Sequence, residues 1–422
     1  MLFGMVKNQY APLNTMPALQ VSTFDYLLPK TKIALDAIEP RDASKLLCWE
    51  NGHITDHVFS ELPQCLSPGD LLIANDTKVI SARMQGFTDS GHAIEIFLLN
   101  PLNDNWTQWE VMVGNKRKFK LGMKAYVGGI GINEIKSSKP FDILYLTWID
   151  RSENHIEFIL PNPLFTMADA IAHFGKIPLP PYIDRPIMDS DSHRYQTVFA
   201  KTMGAVAAPT AALHFTQSLR IKLQDRGVNF SFLTLHVGAG TFKPMTANTA
   251  DKHIMHGERF EIGADLLDRV MHQLLADGGR VVAIGTTSMR VLESLYYLGI
   301  KAMRGQDPGI LESAEPYKAD AFTFKGKTID TLEALESLRE YCLLQGGILC
   351  GYTYIFIVEG FQFRICDGLI TNFHQPKSTL LMLVSAFVGK EWRNIYRHAL
   401  EKGYHFLSYG DGSLLWKEKI KA

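Results

Sequence analysis

The 422-residue chain is poor in cysteine, carries almost no net charge and has no long apolar run. No stretch reaches the roughly 20 consecutive apolar residues that a membrane-spanning helix needs, so a helical membrane protein is excluded at this level. Met1 to Gln20 lack the basic start and apolar stretch of a secretory signal and read as a loose leader, with Met5 or Met16 as alternative starts. The five cysteines (Cys48, Cys65, Cys342, Cys350 and Cys366) include no CxxC pair. That spacing points to neither a zinc site nor a disulfide framework, and a reduced, cytoplasmic protein is expected. With a net charge of −1 there is no whole-molecule attraction for nucleic acid. Any RNA footprint must be a local patch. Lys116, Arg117, Lys118, Lys120 and Lys124 are the candidate patch; the simpler reading is a solvated strand edge.

What is present divides into zones. Hydrophobic residues make up 46% and charged residues 21%, enough for a large core and an ordinary surface. Asp70–Ala74 reads as a strand running into the turn text Asn75-Asp76-Thr77. From there to about Phe158 short β-like runs dominate, among them Ile94–Leu99, Trp109–Val113 and Ile143–Trp148, which predicts a small barrel or sandwich. After Met167 strands alternate with helices: Phe232–Val237, Arg280–Ile284 and Ile365–Ile370 against Met289–Leu298 and Ser378–Phe387. We therefore expect an α/β large domain (1–67 and 159–422) with a small β-barrel domain inserted at 68–158.

Five segments place polar groups where a strand should simply give way to a helix. In Gly204–Phe215, small residues allow close approach to the backbone, and Thr210 and His214 stand one turn apart after Pro209. In Leu235–Pro244, a strand ends at His236 and a loop with Gly238 and Gly240 follows. It resembles a phosphate cradle but lacks the Lys-Ser/Thr pair of a P-loop. His253 and His256 are spaced to share a helix face, and Glu258 could supply a third metal ligand, yet they lack the HExxH order of zinc helices, so acid–base or substrate contact is expected and no metal. In Val281–Ser294, Ser288 fits a helix N-cap, and the free amides there attract anions. Arg290 then falls in the first turn, where the dipole disfavours a cation by roughly 0.3–1 kcal/mol, so it is expected to face an anion. In Asp367–Val384, Asn372 and His374 lie on the turn after a strand, where open α/β sheets bind ligands.

Taken together these segments resemble the S-adenosylmethionine:tRNA ribosyltransferase-isomerase family of queuosine biosynthesis. The matching text is Pro178–Ile183, Tyr195-Gln-Thr-Val198, Gly204–Phe215, Thr234–Phe242, His253–His256 with Glu258, Gly285–Arg290, Thr371–His374 and Ser408-Tyr-Gly-Asp411. Upstream, Gly69-Asp-Leu-Leu, Asn75-Asp76-Thr77 and Ala82-Arg83 also match. The resemblance runs from about Phe24 to about Leu415. It implies an α/β domain with an inserted barrel. It also implies transfer of the ribosyl group of S-adenosylmethionine to the deazaguanine preQ1 at the tRNA wobble position, with rearrangement to an epoxycyclopentane. S-adenosylmethionine is then a consumed co-substrate, with no permanently bound cofactor. Other readings are the same scaffold with a different acceptor, or a tRNA-binding relative without catalysis.

Under the family reading, the acid–base candidates are His214, His236, His253, His256 and His374, because imidazole titrates near neutral pH. Glu258 and Asp367 are second-choice orienting groups. Substrate contacts are expected from Asp76, Arg83, Tyr195, Gln196, Thr197, Thr210, Gly238, Gly240, Thr241, Phe242, Asn372, Tyr409 and Asp411. Thr286, Thr287, Ser288 and Arg290 are the anion-binding candidates. The chain departs from the family pattern at Lys45, Gln375 and His405, and by a longer segment at about 301–351. Within that segment Asp330–Cys342 reads as a helix, with Asp330 and Glu333 spaced as a capping box.

Overall fold

The computed structural model describes residues 16–128, 143–160, 162, 165–238, 245–275 and 279–417. Its centre is a ten-stranded sheet in the spatial order Ile310–Leu311, Ile348–Thr353, Glu258–Gly263, Asn229–His236, Leu71–Asn75, Val281–Ile284, Gly368–Asn372, Gly412–Trp416, Lys45–Glu50 and His53–Val58. The four middle strands, from Asn229–His236 to Gly368–Asn372, run parallel. Alternation of side chains explains why they are so apolar. Leu71, Ile73, Val281 and Ala283 pack to one face, while Leu72, Ala74, Val282 and Ile284 pack to the other.

The first face carries helices Ala264–Leu275, Thr286–Met303, Thr331–Leu344, Thr379–Val388 and Trp392–Glu401. The second carries the shorter Leu62–Cys65 and Gln217–Asp225. The long segment at 301–351 adds Thr331–Leu344 to the first face, and its start matches the sequence reading. Asp330 is the N-cap, accepting from Leu332 N–H, and Glu333 closes the capping box. Gly299 explains how closely this helix docks: a Cβ there would lie 2.1 Å from the Ala334 carbonyl oxygen.

The barrel is closed and antiparallel, in the order His155–Ile159, Gln108–Gly114, Ala93–Pro101, Arg83–Thr88, Lys124–Val127 and Leu144–Asp150. Met84, Ile96, Leu98, Trp109, Leu146 and Ile156 fill it, and Met167, Ala170 and Ile171 of helix Met167–Phe174 close the core. The expected boundary at residue 68 is corrected. Leu71–Asn75 belongs to the main sheet, paired on both sides with parallel strands, and the first barrel strand begins at Arg83. The run Leu71–Ala74 is apolar at every position and buried on both faces, so it reads equally well as either kind of strand. No described helix is long and apolar enough to cross a membrane.

Candidate functional site

The four parallel strands end on one side of the sheet at His236, Asn75, Ile284 and Asn372. The strand order reverses at Leu71–Asn75: the chain next enters the sheet on one side at Asn229–His236 and later on the other at Val281–Ile284. Such a reversal opens a crevice beyond the strand ends. Three cavities occupy it. A narrow cleft of about 90 Å³ is lined by Ala208, Thr210, Thr286, Thr287, Asn372 and His374. A wide cavity of about 560 Å³ is lined by Gly238, His253, His256, Glu258, Arg290 and Phe356. A third, of about 390 Å³, lies between the barrel loop Leu99–Asp104 and His236, Arg259 and Tyr352. Their walls are shared: Val237 lines the narrow and third spaces, Gly238 the wide and third, and Leu380 the narrow and wide. The cavities thus meet around the end of strand Asn229–His236. Gly240, Thr241 and Phe242 lie outside the described residues.

The narrow cleft is built from backbone turns. Gly285 takes φ 91° and serves as the N-cap of Thr286–Met303, so the helix begins at Thr286. This corrects the expected cap: Ser288 lies inside the helix, and its Oγ donates to the Ile284 carbonyl at 2.8 Å. Thr286 and Thr287 still line the cleft, and the first amides of a helix have no partner within it. Asn372 Nδ2 donates to the Leu407 carbonyl at 2.9 Å. His374 Nε2 pairs with Thr371 Oγ1 at 3.0 Å. Behind this wall His214 is held by Ser44 Oγ at 2.8 Å and stacks on Phe59. Burial lowers the pKa of His214 to about 4, opposed by Asn372, and that of His374 to about 3.

Those shifts have a consequence for stability. The folded chain keeps both rings neutral, whereas the unfolded chain protonates them below about pH 6.5, so stability is present above that pH and lost as pH falls toward 4. Each ring contributes about 2 kcal/mol of loss at pH 5. In urea melts at pH 7 and pH 5, His214→Asn should reduce the difference between the two pH values. An unchanged difference would show that His214 is not held neutral.

In the wide cavity, His253 and His256 follow the short turn Ala250–Lys252 and precede the strand Glu258–Gly263. They do not share a helix, which corrects that expectation. His253 is half-buried and edge-on to Phe356, and burial followed by the nearby His256 lowers its pKa. His256 is exposed. Arg290 sits one turn deeper than expected. It is 6% exposed, forms an ion pair with Glu258 and donates to the Ile355 carbonyl at 3.2 Å. The anion it faces is therefore a carboxylate of the protein. In the third cavity, His236 Nδ1 pairs with Thr77 Oγ1 at 3.0 Å, and burial lowers its pKa. Gly204, at φ 147°, leaves room for this ring; a Cβ there would lie 2.7 Å from His236 Nδ1.

Several expected contact residues have partners within the protein. Asp367 stands at the opposite end of its strand, accepting from Val281 N–H at 3.0 Å. Arg83 pairs with Glu95 on the barrel at 2.5 Å. Gln196 clamps the backbone of Val79 through both ends of its amide, 3.1 and 2.6 Å. Thr197 accepts from Phe199 N–H, and Asp411 accepts from Lys45 and His405 N–H. Asp76 accepts from Thr234 Oγ1 at 2.7 Å. Tyr195 is fully buried against Tyr409, whose hydroxyl reaches Asp191 at 3.3 Å. Short polar motifs read alike whether they grip a ligand or a neighbouring loop. Residues that were not among the site candidates include Ser44 and Thr77, which hold ring nitrogens of His214 and His236, and Phe356, which lines the wide cavity. No sequence spacing links them to their partners.

A crevice at the carboxyl ends of a parallel sheet, with imidazoles along its walls, is where open α/β folds bind their ligands. The family model described as queuosine biosynthesis protein matches residues 21–415. The chain is 38% identical over 401 residues to the S-adenosylmethionine:tRNA ribosyltransferase-isomerase of Magnetococcus marinus, covering 94% of both chains. It is also 38% identical to that of Thermosynechococcus vestitus, covering 94% of this chain and 95% of the relative. For that of Burkholderia cenocepacia the figures are 39%, 94% and 96%. A crystal structure of S-adenosylmethionine tRNA ribosyltransferase from Thermotoga maritima aligns with a TM-score of 0.45 and 26% identity over 93% of this chain and 99% of that one. The chain belongs to the S-adenosylmethionine:tRNA ribosyltransferase-isomerase family of queuosine biosynthesis, a family of enzymes.

Proposed function

We propose that this chain transfers the ribosyl group of S-adenosylmethionine to preQ1 at the wobble position of tRNA and isomerises it, giving epoxyqueuosine-tRNA with release of adenine and methionine. S-adenosylmethionine is consumed as a co-substrate, and the tRNA acceptor makes the reaction cytoplasmic. The observation that carries this reading is the meeting of three cavities around Val237 and Gly238. A reaction that moves the ribosyl group of one co-substrate onto an RNA base, releasing adenine and methionine, needs places for the nucleoside, the amino-acid chain and the RNA base converging on that ribose.

The amides at Thr286 and Thr287 suit the methionine carboxylate, as helix starts suit anions. The wide cavity has the volume for a nucleoside, and His253 in its wall suits removal of the proton beside the sulfonium. The third cavity opens under the barrel, where a base extruded from the anticodon loop would enter. Incubation with S-adenosylmethionine and preQ1-tRNA, followed by mass spectrometry of the digested tRNA, should show epoxyqueuosine in step with released adenine and methionine. Methylated tRNA with S-adenosylhomocysteine would contradict the reading. Adenine release that needs no preQ1-tRNA would point to another acceptor.

The barrel carries the basic patch. Lys116–Lys118 form one turn after strand Gln108–Gly114, and Arg117, Lys118, Lys120 and Lys124 are exposed. If they track RNA phosphate, changing Arg117, Lys118 and Lys120 to Ala should flatten the salt dependence of tRNA binding by about two units of log–log slope. The KM for S-adenosylmethionine should stay constant. An unchanged slope would make the patch a solvated edge.

A further inference from the structure

Three side chains far from the crevice converge on the flank of the sheet. Cys48 lies on Lys45–Glu50, His57 on the neighbouring His53–Val58, and Cys65 ends the helix Leu62–Cys65. One ligand atom from each falls within 4.8 Å of the others, and among the described residues this is the only such group of three. The geometry follows from the fold. Leu46 pairs with His57 across the two strands, and Cys48, two residues on, shares that face. Leu46, Phe59 and Leu62 share one buried cluster, against which Cys48 and Cys65 pack. No sequence spacing rule would have joined the three, because a strand, a second strand and a helix each supply one.

We propose that Cys48, His57 and Cys65 bind one thiophilic divalent cation of the Zn²⁺ class, which clamps the edge hairpin to the helix Leu62–Cys65. Two thiolates and an imidazole are ligands of the soft and borderline kind that select such ions. Zn–S bonds of about 2.3 Å at tetrahedral angles place sulfurs roughly 3.8 Å apart, so rotamer adjustments close the observed spacing. The two thiols already contact one another. All three residues are half-buried, which leaves an entry path, and the Glu61 carboxylate stands 3.7 Å from His57 Nδ1. Asp56 and Glu50 add negative charge near Cys48. Binding displaces the two thiol protons to solvent, so affinity rises with pH. No redox step is involved. The site lies outside the crevice and acts on stability rather than turnover.

The test uses the full chain, purified under reducing conditions, stripped with a chelator and titrated with Co²⁺ and then Zn²⁺. The proposal predicts one Co²⁺ per chain with a thiolate-to-cobalt charge-transfer band, its displacement by Zn²⁺, and a Tm that climbs with the logarithm of free Zn²⁺. Cys48→Ser and His57→Ala should each abolish the band. The wild-type titration stands alone if either variant fails to fold. Absence of the band and an unmoved Tm in the wild type would overturn the proposal. So would equal binding by both folded variants. A Cys48–Cys65 disulfide recovered from protein kept free of oxidant would replace the metal site by a redox pair.

Discussion

Arg290→Ala should cost about 3–5 kcal/mol of folding stability, read as a fall in the urea midpoint, because it withdraws the guanidinium that faces Glu258 inside the protein. Both side chains are under 10% exposed, so the carboxylate left behind is largely desolvated. Replacing the pair together, as Glu258→Leu with Arg290→Met, should recover much of the loss, since well-packed apolar substitutes of similar volume cost little. The pattern separates two readings of one residue. An arginine whose task is to hold a ligand anion would leave the midpoint nearly untouched and raise the KM for S-adenosylmethionine instead, by roughly ten- to hundredfold. A rise in KM with an unmoved midpoint would therefore refute the structural assignment.

His253→Ala should lower kcat about 100-fold or more with a much smaller change in KM, if this ring is the general base. Its claim over the other histidines is physical. His214 and His374 are so deeply buried that their pKa values fall to about 4 and about 3, which makes them weak bases. His236 is tied to Thr77, beneath the barrel. His253 is half-buried on the wide cavity, with a pKa moved below 6.5 by burial and by His256. A base must be neutral, so the acid limb of the kcat profile should fall off below pH 6.5, not above it. His256→Ala should have the smaller effect, since that ring is exposed. Circular dichroism checks the fold of each variant. Near-normal turnover by His253→Ala would remove it from the chemistry.

How much of this was legible beforehand depended on range along the chain. The barrel, the strand–turn–helix segments and the Asp330–Glu333 cap are encoded within a few residues, and they read correctly. The site as a set of strand ends was legible too, because Thr286, Asn372 and His236 each follow an apolar strand. The errors came where a local rule had two solutions. Both Gly285 and Ser288 can start a helix; the glycine's positive φ decided it. Asp367 precedes and Asn372 ends one five-residue strand, so a polar residue at either end looked equally like a ligand, yet only the C-terminal end faces the crevice. His253 and His256 have helical spacing, but the chain is already extending toward Glu258. What could not be read at all is lateral. The Glu258–Arg290 pair and the Cys48–His57–Cys65 group depend on strand order and register, which pairwise spacing does not contain.

The central claim is that S-adenosylmethionine is held where the three cavities meet, and a crystal structure of the chain with S-adenosylmethionine bound tests it most directly. The account predicts the methionine carboxylate against the amides of Thr286 and Thr287, the sulfonium beside Val237 and Gly238, and the adenosine in the cavity walled by His253 and Phe356. Density for S-adenosylmethionine on the barrel, or at the opposite end of the sheet near Asp367, would contradict it.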